Sequence, residues 1–351
     1  MEVAIVCSSF NRAKQLERTV WSIANQDYPL DKVVLIIIDD GSVDNTPTTI
    51  AQLFDNYPNL NLIDIVTQRK KENHFGGHGI VLNLGLRYAE ELGAEYVFLT
   101  GGDILWSSYA LRKHLLAHKD LDEKIRVVAV NLSELGEFKS QLTGYKENNM
   151  ESIVNAVSAT IHNSDADLLL GPRIYFIRPD RESLGEAEAA PGLLANIPDW
   201  YDWKPPEKLL SHPTALTLEE FPDRDHIYLG YPGERPCDNS HPESPSLQSA
   251  KLSFWLRLGG WDESGIGHFY EDLQLRLRLL NYLNCSDMSP IFPIVHPEVS
   301  CFHQPHPRQL SSCNHDIFVE NVEKYGYNVN KGQNIDWGRC PHRIRKVRVR
   351  N

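Results

Sequence analysis

The sequence predicts an α/β protein with a mostly parallel central β-sheet and helices on both faces. Two observations carry this prediction. Short, continuous apolar runs recur through residues 1–130, and segments with apolar residues at helical spacing separate them. Continuous apolar runs are typical of strands that are buried on both faces of a parallel sheet. Regular alternation of strand and helix indicates βαβ units, which also give a parallel sheet.

The elements of this region follow in order. The predicted strands are Val3–Cys7, Val33–Ile38, Leu60–Val66, Tyr96–Leu99 and Val127–Val130. The predicted helices are one with Ala13, Leu16, Val20 and Ile23 on one face, one capped by Asp44, Asn45 or Thr46, one over Ile80–Leu92 and one over Leu111–His118. A glycine-rich loop with Gly76, Gly77 and Gly79 precedes the third helix.

The remainder of the chain is less regular. Helices are predicted over Asn148–Asn163 and Ser249–Leu258, and strands over Leu168–Leu170 and Val299–Phe302. An insertion over residues 178–245, rich in proline and aromatic residues, is either a lid over a ligand or a loop that packs on the core. The basic C-terminal segment Arg343–Arg350 is either strand-like or disordered, and it either contacts an anionic partner or membrane surface or is simply solvated.

Composition narrows the class of protein. The chain has 351 residues, 41% hydrophobic and 23% charged, so it can bury a core. A net charge of −12 argues against nonspecific nucleic-acid binding. The N-terminus has no signal-peptide pattern, and no apolar run approaches the roughly 18 residues of a spanning helix. The six cysteines lack CxxC spacing, so we expect reduced thiols and a cytoplasmic protein.

Polar residues follow the predicted strands where those strands end. Ser8 follows the first strand, Asp39 and Asp40 follow the second, and Asp103 comes after the fourth. Ligands of parallel sheets bind beyond the carboxyl ends of the strands, so these residues should share one crevice.

The stretch from Gly259 to Leu280, GGWDESGIGHFYEDLQLRLRLL, is a second candidate site. A glycine-rich lead-in precedes Glu271 and Asp272, and an amphipathic run follows them. Such a carboxylate pair either takes a proton from a hydroxyl group as a general base or only favours the positive end of a helix.

Four blocks together resemble the family 2 glycosyltransferases of the GT-A fold. They are VAIVCSSFNRAKQLERTVWSIANQ from Val3, IIIDDGSVDNT at 36–46, GGHGIVLNLGLRYAEELGAEYVFL at 76–99, and GGWDE with GHFYEDLQLRLRLL. The last block also resembles the C-terminal galactosyltransferase-type module of several such enzymes. The resemblance covers residues 1–130 and 249–306. It implies a nucleotide-sugar-binding half over 1–130, a variable insertion over 131–248, an acceptor and catalytic half over 249–310, and a C-terminal extension over 311–351.

The resemblance also implies a donor site. Ser8, Phe10, Asn11 and Arg12 would line the nucleobase pocket. Asp39 and Asp40 would accept hydrogen bonds from the base and ribose, although an Asx turn is the alternative role for such a pair. Lys71 and His78, which flank the glycine-rich loop, would meet the diphosphate or form part of a solvated charged surface.

The metal motif departs from the family pattern. Where the family has Asp-x-Asp or Asp-Asp, this sequence has Thr100-Gly101-Gly102-Asp103. The resemblance implies Mn²⁺ or Mg²⁺ held by Asp103 and by His303, which follows a late strand. A cation that keeps several waters needs few protein ligands. The alternatives are a histidine bonded within the core and a site in which cationic side chains neutralise the diphosphate.

For catalysis, the resemblance implies that Asp272 is the general base, that Glu271 orients the acceptor, and that Trp261 and His268 line the acceptor site. The predicted function is transfer of a sugar from a nucleotide sugar, with UDP favoured, to a glycan or other hydroxyl acceptor, with inversion. The alternatives are a retaining transferase of the same fold and a non-catalytic nucleotide-sugar-binding or glycan-binding protein.

Overall fold

The computed structural model describes residues 1–68, 77–130, 133, 150–162, 167–177, 227–229, 246–263, 274–275, 278–279, 291–304, 315–325 and 336–350. In this part of the chain no helix has the length and apolar character needed to cross a membrane. Among the described cysteines, Cys7 and Cys301 are buried and Cys340 is half-buried, and none of the three forms a disulfide with another described residue.

The described strands join in one ten-stranded sheet. The strands are β1 Val3–Ser9, β2 Val33–Asp39, β3 Asn61–Thr67, β4 Tyr96–Gly101, β5 Ile104–Trp106, β6 Asp167–Ile177, β7 Ile227–Leu229, β8 Gln248–Lys251, β9 Ile291–His303 and β10 His342–Arg348. The helices are α1 Ala13–Ala24, α2 Thr46–Asn56, α3 Gly77–Glu91, α4 Ala110–Lys119, α5 121–130, α6 Met150–His162, α7 Leu252–Leu258 and α8 His315–Tyr325.

The strand order is β10-β3-β2-β1-β4-β8-β6-β9-β5, with β7 paired to β6. Strands β3, β2, β1 and β4 are mutually parallel, and we call them the parallel half. Strands β8, β6, β9 and β5 form the mixed half, where β6 and β9 are parallel and the other pairs are antiparallel. The predicted α/β class, with parallel strands at the centre of the sheet, is confirmed.

Helices cover both faces of the parallel half. On one face α3 and α7 pack on alternate residues of the strands, and on the other face α1, α2 and α4 do so. The helix α3 approaches β1 closely at Gly85, where a Cβ atom would lie 2.1 Å from Cγ1 of Val6. The sheet is therefore buried on both faces, as the continuous apolar runs require.

Two predicted elements are wrong. Residues 127–130 are helical within α5 and do not form a strand. The Oδ1 of Asp120 accepts a hydrogen bond from the Glu123 N–H at 2.8 Å, so a capping residue starts a helix that buries Val127 and Val128. The predicted helix over Ser249–Leu258 instead begins at Leu252, because its first residues lie in β8 between β4 and β6. The helix α3 also begins earlier than predicted, at Gly77.

The C-terminal segment is part of the sheet. Strand β10 pairs antiparallel with β3 at the edge of the parallel half. The strand-like alternative is therefore confirmed, and the disordered one is wrong. Contact of this segment with an anionic partner or a membrane surface stays a prediction. Of the insertion at 178–245, only β7 lies within the described residues, so the lid prediction falls outside them.

Candidate active site

The loops after β1 and β2 are joined to each other at the carboxyl end of the parallel half. Asn11 has a φ angle of 51°, a conformation that Asn tolerates better than most residues. Its N–H donates to the Ser42 Oγ at 2.8 Å, and its Oδ1 accepts from the Val43 N–H at 2.9 Å. The Arg12 N–H donates to Oγ1 of Thr46, the first residue of α2. These contacts fix the two loops as one unit.

The two acids of the β2 loop have different environments. Asp39 is fully buried; its Oδ1 accepts from the Ser42 N–H at 2.8 Å, and its Oδ2 lies 2.9 Å from Nη1 of Arg345. Asp40 is only half-buried, and its Oδ1 accepts from the Thr67 Oγ1 at 2.6 Å. Asp39 therefore shapes the turn, whereas Asp40 is the more exposed of the two acids.

The turn after β4 brings Asp103 to the same crevice. The Gly102 N–H donates to the Ser8 carbonyl at 2.7 Å, and the Gly102 carbonyl accepts from the Thr19 hydroxyl at 3.1 Å. A Cβ atom on Gly101 would lie 2.7 Å from Oδ1 of Asp103, so the carboxylate occupies space that a side chain would fill. The Oδ2 of Asp103 lies 3.4 Å from Nε of Arg12. The predicted meeting of Ser8, the β2 acids and Asp103 at one end of the sheet is confirmed in these contacts.

Asp103 and His303 lie side by side at the ends of neighbouring strands. His303 is the register partner of Ile104, and the Gln304 N–H donates to the Asp103 carbonyl at 2.8 Å. One carboxylate and one imidazole suit a cation that completes its coordination with phosphate oxygens and water. No cluster of three or more His, Cys, Asp or Glu side chains arranged as metal ligands occurs among the described residues. A cation held by these two side chains would take its remaining ligands from a bound diphosphate and from water.

The predicted acceptor-side residue Trp261 is a core residue in this structure. It is fully buried and stacks on Trp255, with ring centroids 6.0 Å apart. Its backbone is held by buried Asn83, whose Oδ1 accepts from the Trp261 N–H at 2.7 Å and whose Nδ2 donates to the Trp261 carbonyl at 2.8 Å. The role of Trp261 in acceptor binding stays a prediction, and its burial does not favour direct contact.

Glu263 joins the same segment to the C-terminal region. Its Oε1 accepts from Nδ2 of Asn83 and from the Gly338 N–H, both at 2.7 Å. Burial raises the pKa of Glu263, despite these hydrogen bonds. Next to it, the Arg87 guanidinium lies 3.9 Å above the Trp337 ring. These contacts therefore hold the GGWDE segment against α3.

The other predicted site residues fall into two groups. Ser8 is buried, with its Oγ 3.5 Å from the Thr100 carbonyl, whereas Phe10 and His78 are half-buried. Lys71, His268, Glu271 and Asp272 lie outside the described residues. Among the described residues, Asn83, Thr67 and Arg345 also organise the site and were not predicted to do so. The sequence signal that could have indicated Arg345 was the regular spacing of basic residues along the C-terminal strand.

Comparison with known protein families gives a match over less than half of the chain. Residues 4–162 match the family described as Glycosyl transferase family 2. This region contains the β1 loop, the β2 loop and Asp103.

Two curated relatives each match about a third of the chain. One is the poly(ribitol-phosphate) beta-N-acetylglucosaminyltransferase TarP of Staphylococcus aureus, 32% identical over 110 residues, or 31% of each chain. The other is an uncharacterized glycosyltransferase of Nostoc sp., 28% identical over 113 residues, 32% of this chain and 31% of the relative. The matches thus span under a third of each relative. A crystal structure of S. aureus TarS 1-349 with UDP aligns over 86% of this chain and 60% of that one, at 17% identity and a TM-score of 0.44.

Proposed function

We propose that this protein is a glycosyltransferase that moves a sugar from a nucleotide-sugar donor to a hydroxyl group of an acceptor. The observation that carries the proposal is the convergence of the β1 loop, the β2 loop and the Asp103 turn at one end of the parallel half, within the region that matches the family. Crevices at the carboxyl ends of parallel strands are the usual ligand sites of such sheets.

The donor nucleotide would occupy the crevice between the β1 and β2 loops. Asp40 would accept a hydrogen bond from a base N–H or a ribose hydroxyl, since a carboxylate is a strong acceptor. Asn11 and Arg12 would line the pocket with groups whose backbone is already fixed by Ser42 and Thr46. A uridine nucleotide is favoured because of the family resemblance. The transferred group is expected to be a hexosyl or N-acetylhexosaminyl group.

Asp103 and His303 would hold a divalent cation against the donor diphosphate. When bound, the cation supplies positive charge that stabilises the leaving group. Asp103 already has a cationic neighbour in Arg12, at 3.4 Å. Arg12 would therefore hold the Asp103 carboxylate in place beside the β1 loop.

Transfer would proceed with inversion, with Asp272 as the general base. Asp272 would remove the proton from the acceptor hydroxyl as its oxygen attacks the anomeric carbon, and the nucleoside diphosphate would leave from the opposite side. Glu271 would orient the acceptor. Trp261 and Asn83 support this assignment indirectly, because they fix the segment that leads to the acidic pair.

A second candidate function is nucleotide-sugar binding without transfer. The turn Gly101-Gly102-Asp103 leaves a single carboxylate at the usual metal position, and Arg12 already pairs with it. This arrangement resembles a site in which protein cations have replaced the metal, which is the observation that favours the second candidate.

A donor panel separates the two candidates. The full chain is incubated with UDP-, GDP- and other nucleotide sugars, in Mn²⁺, Mg²⁺ or EDTA, and the released nucleotide is measured alongside binding by calorimetry. A transferase should release nucleotide from at least one donor, at a rate that an acceptor increases. Binding of a donor with no release under any condition would support the second candidate and contradict the first.

The variant Asp272→Asn tests the base. General-base catalysis contributes about 10²–10⁴-fold, so transfer should fall by that factor while donor affinity stays unchanged. Glu271→Gln is the neighbouring control and should raise the acceptor KM more than it lowers kcat. Full transfer activity of Asp272→Asn would refute this assignment of the base.

A further inference from the structure

We propose that Arg345 of the C-terminal strand is a positioning residue for the donor site, which holds the Asp39-Asp40 turn in its ligand-binding shape without touching the donor. This inference rests on the proposed function of the same crevice. Arg345 lies more than 300 residues after Asp39 in the sequence, and the sheet topology brings the two together across β3.

The position of Arg345 depends on a bulge in β10. Ile344 pairs with Ile65 and Lys346 pairs with Asp64, so β10 advances by two residues where β3 advances by one. Arg345 is the extra residue. Bulges locally bend a strand and redirect a side chain, and they are common at sheet edges and next to active sites. Here the bulge allows a side chain of the edge strand to extend over the face of β3.

The guanidinium of Arg345 pairs with two buried carboxylates. Its Nε and Nη2 lie 2.7–3.1 Å from the oxygens of Asp64 on β3, and its Nη1 lies 2.9 Å from Oδ2 of Asp39 on β2. Asp39 is 0% exposed and Asp64 is 3% exposed. Buried carboxylates are costly unless they are paired, and a planar guanidinium can pair with both of them at fixed geometry. Arg345 is therefore the cation that compensates both acids.

Asp39 connects Arg345 to the β1 and β2 loops, which form the proposed nucleotide pocket. The Asp39 carboxylate accepts from the Ser42 N–H at 2.8 Å, and the Ser42 hydroxyl accepts from the Asn11 N–H at 2.8 Å. Asn11 in turn accepts from the Val43 N–H at 2.9 Å. A displacement of Asp39 would therefore disturb both loops of the proposed nucleotide pocket.

The start of β10 also supports the second acid. The Thr67 hydroxyl donates to Asp40 at 2.6 Å, and Thr67 is the register partner of His342. Immediately after it, the Gln68 N–H donates to the Pro341 carbonyl at 2.7 Å. The C-terminal strand thus fixes Asp39 directly and Asp40 through Thr67.

The strand provides a matched control in Arg348. Its guanidinium donates to the backbone carbonyls of Phe54, Tyr57 and Leu60, before the amino end of β3 and away from the donor loops. Arg345→Ala and Arg348→Ala should both lower the unfolding midpoint of the full chain. Only Arg345→Ala should weaken the binding of UDP or GDP, whichever the wild type prefers, by tenfold or more. Arg348→Ala should bind within twofold of the wild type.

The measurement is calorimetric titration of the nucleotide at a temperature where each variant is folded by circular dichroism. If Arg345→Ala does not fold, Arg345→Lys carries the test: one ammonium group cannot replace the fork that spans both acids, so a three- to tenfold loss is expected. Unchanged affinity of the folded Arg345 variant, or an equal loss in Arg348→Ala, would overturn the inference alone. No nucleotide binding by the wild type would instead overturn the proposed function, and the inference with it.

Discussion

The parallel half and the mixed half of the sheet bury different kinds of side chain. All seven residues of β1 and of β2 are buried, and they are apolar up to the carboxyl ends, where Ser8, Ser9 and Asp39 lie. In the mixed half, by contrast, fully or almost fully buried polar residues lie inside the strands. They are Gln248 and Ser249 in β8 and His296 and Ser300 in β9.

Histidines of helix α4 and strand β9 form a buried polar cluster next to Ser249 of the mixed half. Nδ1 of His114 and Nε2 of His118 lie 2.8 and 2.9 Å from the Ser249 Oγ. A hydroxyl has one hydrogen to donate, so one imidazole accepts it and the other donates its own N–H. The His114 ring stacks on His296 at 5.6 Å and on Phe98 at 5.7 Å. This cluster requires neutral imidazoles.

The two halves therefore differ in how they are stabilised and in where a ligand would bind. Apolar burial stabilises β1 and β2, whose polar residues lie at the carboxyl ends, where a donor would bind. In β3 the buried Asp64 is the exception, and it is paired with Arg345. The mixed half is stabilised partly by hydrogen bonds among titratable groups. Acid should therefore weaken the mixed half first, whereas a change of packing should weaken the parallel half at any pH.

Overpacking the parallel half should have the largest effect on stability. In Gly85→Ala the new methyl group would lie 2.1 Å from Val6, and we expect a loss of about 3 kcal/mol in the free energy of unfolding. The control is Gly93→Ala, where φ is +66° but the space is open, so only the backbone cost of about 1 kcal/mol applies. Urea unfolding should give the same difference at pH 7.5 and 5.5. Equal losses in the two variants would contradict the close approach of α3 to β1.

Acid should destabilise the histidine cluster. Burial lowers the pKa of His118 to about 3, that of His296 to about 4 and that of His114 well below its usual value. Unfolded histidine titrates near about pH 6.5, so below that pH the unfolded chain binds more protons. The stability is thus present above about pH 6.5 and is lost as the pH falls towards the folded pKa values. Each histidine should cost about 1 kcal/mol between pH 7.5 and 5.5.

His118→Gln tests this prediction, because a glutamine amide can replace Nε2 as the partner of Ser249 but does not titrate. The variant should lose about 1 kcal/mol less than the wild type on acidification from pH 7.5 to 5.5. Urea unfolding at the two pH values gives the comparison. An identical pH dependence in the variant and the wild type would show that His118 does not titrate on unfolding in this range.

The helix cap of α5 should give the smallest effect. Asp120→Ala removes the carboxylate that accepts the Glu123 N–H and should cost about 1 kcal/mol. Asp122→Ala, an exposed acid in the same turn, should cost less than about 0.5 kcal/mol. Thermal unfolding of both variants provides the measurement, and a reversed order would contradict the cap.

The same comparison explains how much could be predicted from the sequence. Strands β1, β2 and β4 were predicted because each is a continuous apolar run between polar residues, whereas the pattern of β3 is weaker because Asn61 and Asp64 interrupt it. The short apolar run Val127–Val130 is compatible with either a strand or a helix. It forms a helix because Asp120 caps the start of this segment. Strand β8 begins with polar residues, and its burial depends on histidines from another element.

The candidate site was predictable to a similar degree. The positions of Ser8, Asp40 and Asp103 followed from the rule that parallel strands end at one edge of a sheet. The different roles of Asp39 and Asp40 did not follow from this rule, because they depend on Arg345 and on a bulge in a distant strand. Local sequence patterns carry no information about such pairings. Asn83 fitted a family pattern, but its contacts with Trp261 and Glu263 required the fold.

Binding of a donor nucleotide at the carboxyl end of the parallel half should depend on Asp40. Calorimetric titration of the preferred nucleotide into wild type, Asp40→Asn and His118→Gln tests it most directly. Asp40→Asn should bind at least tenfold more weakly, about 1.4 kcal/mol, because an amide is a poorer acceptor than a carboxylate. His118→Gln, on α4 and in contact with Ser249 of the mixed half, should bind as the wild type does. Wild-type affinity in Asp40→Asn would contradict the account.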